Sequence, residues 1–318
     1  MNKSSHRYDV AIIGAGPSGI AAALALKNNG INNIVVLERE SQAGGIPRHC
    51  GHPPFGLREY KRVLTGPVYA AKLVESAQQA KIDIQLKSNV ISLGDTGELV
   101  VLSPQGKYML QAKRVLIATG TRETPRSARK VTGDRAMGIC NTGALQSMVY
   151  LKQLIPFRCP VIIGSELVSF SALMTCKKAG IKPIMMLEEK AHPRVAWPLH
   201  YSAYLFSVPL KLNHKLVNII GDKRVSAVRV LDNKGKTQEI SCDGVLFTGQ
   251  FTPESTLARM AGLLLDKQGA PVTDSSGRCS NANYYAVGNL LHDPVKRADQ
   301  CWRKGQLVGE AIAKDLRD

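Results

Sequence analysis

The chain has 318 residues, 44% hydrophobic and 21% charged, and its 42 lysines and arginines against 25 acids give a formal net charge of +17. This is more chain than one hydrophobic core usually serves, in ordinary globular composition, which excludes a disordered chain and points to two domains. No run of about 18 uninterrupted apolar residues occurs, so no membrane-spanning helix is expected.

The N-terminus, Met1-Asn2-Lys3-Ser4-Ser5-His6-Arg7, leads into a core strand without a signal-peptide apolar region, and a cytoplasmic location is expected. Tyr8 to Ile13 is that strand, and it enters Gly14-Ala15-Gly16-Pro17-Ser18-Gly19, an intact GxGxxG. The next apolar run, Ile34 to Leu37, closes on Glu38 and Arg39. This is the fingerprint of a βαβ dinucleotide site. Gly14 permits the tight turn and Gly16 lets a pyrophosphate reach the helix N-terminus. Gly19 lets helix and strand pack closely, and Glu38 can accept hydrogen bonds from an adenosine ribose.

A long loop, residues 41–66, is rich in Gly, Pro and His, and is followed by a helix over about 69–79 and a strand over 82–86. A hairpin is expected across 90–112, with Gly94, Gly97 and Gly106 as turn signals, then a strand over 115–120 ending in Ala118-Thr119-Gly120. Residues 121–157, with Pro125 and Pro156 near the ends, form the crossing into a second domain. That domain opens on Pro160 to Ile163, has a helix over about 168–179 and a strand over 183–188, and continues in alternating β segments from 210 to 240. Val245 to Gly249 repeats the pattern of a strand followed by Thr-Gly, and 270–318 holds a strand, Tyr284 to Gly288, and a closing amphipathic helix. Strand and helix signals alternate throughout, which argues for parallel sheets covered by helices.

The second strand-turn-helix departs from the first. Gly164-Ser165-Glu166-Leu167-Val168-Ser169 keeps only the first glycine, with Glu188 at the end of the following strand. Glu166 places a side chain and a charge where a pyrophosphate would approach. One such charge pair costs about 1 kcal/mol in water and about 4 at an effective dielectric of 20, up to roughly a thousandfold in affinity, unless a cation compensates or the carboxylate turns away. NAD(P) is therefore doubtful here, and another nucleotide remains an alternative.

The seven cysteines, at 50, 140, 159, 176, 242, 279 and 301, include no CxxC or comparably short spacing, which argues against a local redox disulfide, iron-sulfur motif or zinc knuckle. In the loop His49-Cys50-Gly51-His52, His49 and Cys50 are weak catalytic candidates, and no metal site is expected because a further ligand at recognisable spacing is missing. Arg48 beside Gly44-Gly45 suits phosphate better. Trp197 and His200 read as surface or core residues. The basic residues are mostly scattered pairs, denser only over Arg122 to Lys130, and no aromatic-interleaved stripe accompanies them. They read as solvated surface, with an acidic partner or electron donor as the alternative, and no nucleic acid is expected.

Together, Gly14-x-Gly16-x-x-Gly19 with Glu38, Ala118-Thr119-Gly120, Thr248-Gly249 and Tyr285-Ala286-Val287-Gly288-Asn289 resemble the FAD- and NAD(P)-binding pyridine nucleotide-disulfide oxidoreductase-like flavoproteins that include thioredoxin reductase. The resemblance covers nearly the whole chain. It implies an α/β fold of two Rossmann-like three-layer dinucleotide-binding domains. The FAD domain is discontinuous (1–122 and 248–318), and a NAD(P)-binding-like domain with a degenerate site is inserted (123–247). FAD would then be held by Gly14, Ala15, Gly16, Pro17, Ser18 and Gly19, by Glu38 and Arg39, and by Gly45 and Arg48. Val90, Thr119, Gly120, Gly288, Asn289 and Ala298 would complete the site. Asn289 replaces the family's usual Asp and can still hydrogen-bond a hydroxyl. Ala298 would begin the last helix at the flavin pyrimidine edge, where Lys296 and Arg297 would favour reduced flavin. The degenerate site would comprise Gly164, Glu166, Ser169 and Glu188.

A narrower resemblance, carried by Gly44 to Gly56, Thr65 to Ala70 and Gly164 to Ser169, is to the small flavoprotein subunits of multi-subunit amine and imino-acid dehydrogenases, among them opine oxidase, hydrogen cyanide synthase and D-hydroxyproline or proline dehydrogenase. It implies a hetero-oligomer in which a catalytic flavoprotein subunit oxidises the C–N bond and electrons pass on. Several such proteins carry a cysteine-rich extension for a [2Fe-2S] cluster. This sequence reaches Asp318 without one, so any cluster is expected on another polypeptide, such as a [2Fe-2S] subunit. Three readings follow: an electron-transfer flavoprotein subunit, a stand-alone NAD(P)H-dependent flavin reductase without a redox disulfide, and a non-catalytic nucleotide-binding assembly subunit.

Overall fold

The computed structural model describes residues 6–195, 202–292 and 296–318, so Trp197 and His200 lie outside the described residues. The chain divides into two units. One comprises the chain up to Arg48, Pro53–Arg122 and Thr252–Asp318, and the other His49–His52 and Glu123–Phe251.

In the first unit, β1 (His6–Ile13) enters α1 (Pro17–Asn28), followed by β2 (Ile34–Leu37), α2 (Gly66–Gln79) and β3 (Asp83–Gln85). The helix α2 starts three residues earlier than the sequence pattern implies, because Pro67 occupies its first turn, where a missing N–H costs nothing. Residues 89–117 form a three-stranded meander rather than a hairpin and a separate strand: β4 (Asn89–Leu93), β5 (Glu98–Ser103) and β6 (Gly106–Ile117). Lys113-Arg114, which falls between the expected hairpin and strand, lies inside β6, where Lys113 pairs with Asp9 at 2.8 Å and Arg114 with Asp315 at 2.5 Å.

The chain crosses through β7 (Thr121–Glu123) into the second unit. There it forms β8 (Thr132–Gly133), β9 (Ile139–Asn141), α3 (Thr142–Gln146), β10 (Pro160–Ile163), α4 (Leu167–Lys178), β11 (Met185–Glu188) and α5 (Ser202–Leu205). Then come β12 (Leu210–Leu212), β13 (His214–Gly221), β14 (Val225–Asp232), β15 (Thr237–Ser241) and β16 (Gly244–Phe247). The chain returns through β17 (Phe251–Pro253) to α6 (Thr256–Met260), β18 (Tyr284–Ala286) and α7 (Ala298–Asp315).

The first unit is built on a sheet of order β3-β2-β1-β6-β5-β4, with β18 also on β6. Strands β1, β2, β3 and β18 join in parallel, and the meander is antiparallel. The helix α1 is rich in Ala and Leu and buried along most of its length. It meets α7 so closely that a Cβ on Gly305 would lie 2.3 Å from Ser18 O and one on Gly309 2.6 Å from Ala22 O.

The second unit has a parallel sheet, β12-β11-β10-β16-β9, and a second sheet, β15-β14-β13-β8. The parallel strands read as continuous apolar runs because both faces are buried. Val161, Leu187, Val245 and Phe247 pack with Ile219 and Val228 of the second sheet, while Ile162, Met186 and Leu246 pack with Phe170 and Leu173 of α4. Among the described residues, no helix is long and apolar enough to cross a membrane.

Candidate cofactor site

Order β2-β1-β6 makes β1 the switch point of the first sheet, and the chain leaves its carboxyl end into α1. Gly14 has φ +110°, and a Cβ there would sit 2.6 Å from Ala118 O, so this turn requires glycine. A Cβ on Gly19 would lie 1.9 Å from Gly14 O, which is the close helix-to-strand approach read from the motif. The Ala15 N–H donates to Glu38 Oε2 at 2.9 Å and the Glu40 N–H to Glu38 Oε1 at 2.9 Å, so the buried Glu38 carboxylate ties the ends of β1 and β2 together. Each oxygen keeps a lone pair for a ribose hydroxyl.

Gly44 N–H donates to Ala15 O at 2.8 Å and lays Gly45 against Gly16, where a Cβ on Gly45 would be 2.9 Å from Gly16 Cα. Arg48, on the 3-10 turn Ile46–His49, folds back so that Nε donates to Gly45 O at 3.3 Å. Gly288 reaches the same place from β18, since a Cβ there would be 2.2 Å from Ser18 Oγ.

The cradle fits a dinucleotide. A Cβ on Gly16 would meet nothing nearer than Gly45 Cα at 3.9 Å, and one on Gly120 nothing within 4 Å. No side chain caps the N-terminus of α1 at Gly16 or Pro17. Open space in front of an uncapped helix N-terminus is what a pyrophosphate needs.

Other expected site residues are differently engaged. The Thr119 hydroxyl donates to Glu254 O at 2.8 Å, and Asn289 Oδ1 accepts from the Cys301 thiol at 3.3 Å. Val90 is a core side chain clustered with Ile13 and Leu37, so only its backbone is available to a ligand. Ala298 opens α7 and packs on the core that contains Ala15. Arg297 donates twice to Asp299, at 3.0 and 2.7 Å, which neutralises the charge expected to reinforce this helix start. Lys296 Nζ donates to the carbonyls of Asn289 and Leu291, both at 3.1 Å.

The turn from β10 into α4 superposes the same logic on different chemistry. Glu188 Oε2 accepts from the Ser165 hydroxyl at 2.6 Å and Oε1 from the Lys190 N–H at 3.0 Å, the counterparts of Ala15 and Glu40 on Glu38. The Glu166 side chain folds into the turn. Its carboxylate atoms lie 2.4–2.7 Å from where Cβ atoms on Gly164 and Gly249 would be. Thr248 Oγ1 lies 3.2 Å from Glu166 Oε2 and 2.7 Å from Ser169 Oγ, and Arg194 forms an ion pair with Glu166. The proviso attached to the repulsion is met, since Arg194 is the compensating cation, and the carboxylate itself occupies the turn. Arg129 donates to Thr248 O at 2.9 Å and Gly249 O at 2.6 Å, and stacks 5.0 Å from the Phe247 ring. Burial lowers its pKa, while Glu123 and Glu166 oppose that shift. These hydrogen bonds keep Thr248 and Gly249 in the second unit, and the chain rejoins the first only at Thr252.

The segment His49–His52 packs within the second unit. The Cys50 thiol donates to Gln146 Oε1 at 3.5 Å, Gln146 Nε2 donates to Ser171 Oγ at 2.6 Å, and Ser171 Oγ meets His52 Nε2. Burial, with a smaller effect from Glu123, pushes the Cys50 thiol up to about 12, which favours the neutral hydrogen-bond donor over a thiolate. Among the described residues, no cluster of His, Cys, Asp and Glu could hold a metal ion. Glu123, half-buried, accepts the Gly143 N–H at 2.7 Å, and its partial burial raises its carboxyl to about 7 against the lowering effect of that bond, Thr142 and Arg129.

Four of these residues escaped sequence reasoning. Arg194 and Glu254 lie in irregular segments, Arg129 was one of a basic run, and Glu123 looked like part of a linker. Only the position of Glu254, five residues after Gly249, carried any signal.

A two-unit α/β chain with this cradle defines a dinucleotide-binding flavoprotein. Residues 8–311 match the family model described as pyridine nucleotide-disulphide oxidoreductase. An opine oxidase subunit from Agrobacterium tumefaciens is 27% identical over 98% of this chain and 66% of its own length, and its namesake from Rhizobium meliloti 27% over 89% and 58%. The chain thus spans less than two thirds of the length of these relatives. Among solved structures, thioredoxin reductase of T. acidophilum superposes with a TM-score of 0.80 at 21% identity, covering 99% of this chain and 100% of that one. L-proline dehydrogenase from P. horikoshii gives 0.75 at 20%, over 99% and 57%. The fold is thioredoxin-reductase-like. The chain belongs to the pyridine nucleotide-disulphide oxidoreductase family and is an FAD-dependent oxidoreductase.

Proposed function

We propose that this chain is the electron-transfer flavoprotein subunit of a multi-subunit amine or imino-acid dehydrogenase of opine, hydroxyproline or glycine type, with FAD in the first unit and no working dinucleotide site in the second. The observation that carries this reading is Glu166, held by Arg194 and Thr248 in the space a second pyrophosphate would use. The opine oxidase subunit names of the relatives support the subunit role.

In this reading Gly14 to Gly19, Gly45 and Arg48 hold the pyrophosphate of FAD, and Glu38 with Arg39 holds the adenosine end. Thr119-Gly120, Gly288-Asn289 and the start of α7 at Ala298 line the remainder. Bound FAD supplies reversible electron storage. The chain supplies helix N-termini and amide donors that hold the phosphates, and a buried carboxylate that orients the ribose. Electrons arrive from a catalytic flavoprotein partner and leave to a further carrier, such as a [2Fe-2S] protein. The purified chain supplied with FAD and offered opines, hydroxyproline, proline or glycine with an artificial acceptor should turn over none of them. Turnover without a second polypeptide would overturn the subunit reading.

A further inference from the structure

Glu254 joins the two strand ends that flank β1. Its peptide N–H donates to Gly120 O at 2.9 Å, and its carbonyl accepts the Thr119 hydroxyl at 2.8 Å, which fixes it to the chain leaving β6. Its carboxylate pairs with Arg122 and lies 3.9 Å from Nη1 of Arg39, two residues beyond β2. Thr256 Oγ1 holds the other oxygen at 3.3 Å. In the sheet order β2-β1-β6, a link from Arg39 to Gly120 spans the carboxyl end of β1, where the crevice opens. The carboxylate is mostly buried, at 13% exposure, whereas Arg39 is half exposed. One end of the bridge is therefore fixed and the other can swing.

We propose that Glu254 is a positioning residue that clasps the cofactor crevice. Its ion pair with Arg39 closes the adenosine end, and FAD enters and leaves when that pair opens. This rests on the reading that the first unit holds FAD. A clasp has a kinetic signature that neither a stability defect nor a simple charge effect shares. Opening it speeds both entry and exit. Removing a negative charge near an anionic ligand would instead slow exit.

The experiment measures FAD association and dissociation rates on the deflavinated chain by recovery and loss of flavin fluorescence, for wild type, Glu254→Gln, Arg39→Gln and the double variant. Both single variants should accelerate association and dissociation by about two- to fivefold, the range expected of a half-exposed ion pair. The double variant should add nothing further. Dissociation that is unchanged or slower in Glu254→Gln, or additive effects in the double variant, would overturn the clasp. If Glu254→Gln fails to fold, the association rate of Arg39→Gln decides, because losing a cation that holds FAD would by itself speed exit but slow entry. Failure of wild type to bind FAD would overturn the site reading itself, which separates the two.

Discussion

Arg194 and Glu166 are an ion pair inside the turn where a dinucleotide-binding protein would present bare glycine backbone. The carboxylate finds its partners within the chain, in Thr248, Ser169 and Arg194. Replacing Glu166 with Gly should remove the obstruction and leave Arg194 and Arg129 facing an open turn. ADP or NADPH affinity of the second unit should then rise at least tenfold, about 1.4 kcal/mol, by calorimetry on Glu166→Gly with the FAD site filled. Equal affinity in wild type and variant would show that the carboxylate is not the obstacle.

Glu123 should make stability depend on pH. Its carboxyl is raised to about 7 in the folded chain, chiefly by burial. The folded state then holds a proton that the unfolded chain releases near an ordinary 4.5. Its stabilising effect is therefore full below that value and is lost as pH rises through about 7, a change on the order of 3 kcal/mol. Glu123→Gln keeps the acceptor for the Gly143 N–H and cannot ionise. Denaturant melts should show the variant gaining on wild type between pH 5 and 8, by roughly 1–3 kcal/mol. Parallel profiles would contradict this.

Glu38 accepts two backbone donors at 2.9 Å each: the Ala15 N–H, which joins β1 to β2, and the Glu40 N–H, which closes the turn after β2. In Glu38→Gln the amide NH2 confronts one of those donors, with a cost of about 1–3 kcal/mol for a buried unsatisfied group. Thermal melts of the deflavinated variant should show that loss before any cofactor is added, and FAD should bind more weakly. An unaltered melting temperature would mean that the carboxylate is not structural.

Gly305 faces Ser18 O on the helix that carries the cradle. Gly305→Ala would place a methyl against backbone that cannot move aside, and overpacking of this kind costs about 1–3 kcal/mol. Because the displaced residue is Ser18, FAD content on purification should fall with stability. A variant that melts and binds FAD as wild type does would show that α1 and α7 have slack.

The first βαβ unit was legible because Gly14, Gly19 and Glu38 act through local geometry: a positive φ, a close approach and a residue at the next strand end. The antiparallel meander was less so, because the charges of Lys113 and Arg114 are answered by Asp9 and Asp315, 104 and 201 residues away in sequence respectively. At the second site the sequence showed Glu166 but not its partner. Arg194 has no periodicity to mark it, and a carboxylate read alone looks like repulsion when its neighbours make it a plug. At Cys50 the sequence showed the thiol but neither the burial that raises it nor Gln146, which accepts its hydrogen bond.

The most direct test of the central claim, that this flavoprotein does not take its electrons from a nicotinamide nucleotide, is anaerobic stopped-flow mixing of the FAD-loaded chain with micromolar NADH and, separately, NADPH. The visible flavin absorption should persist in both, while dithionite bleaches it at once. Prompt bleaching by either nucleotide in the wild-type chain would contradict it and make the protein a stand-alone reductase.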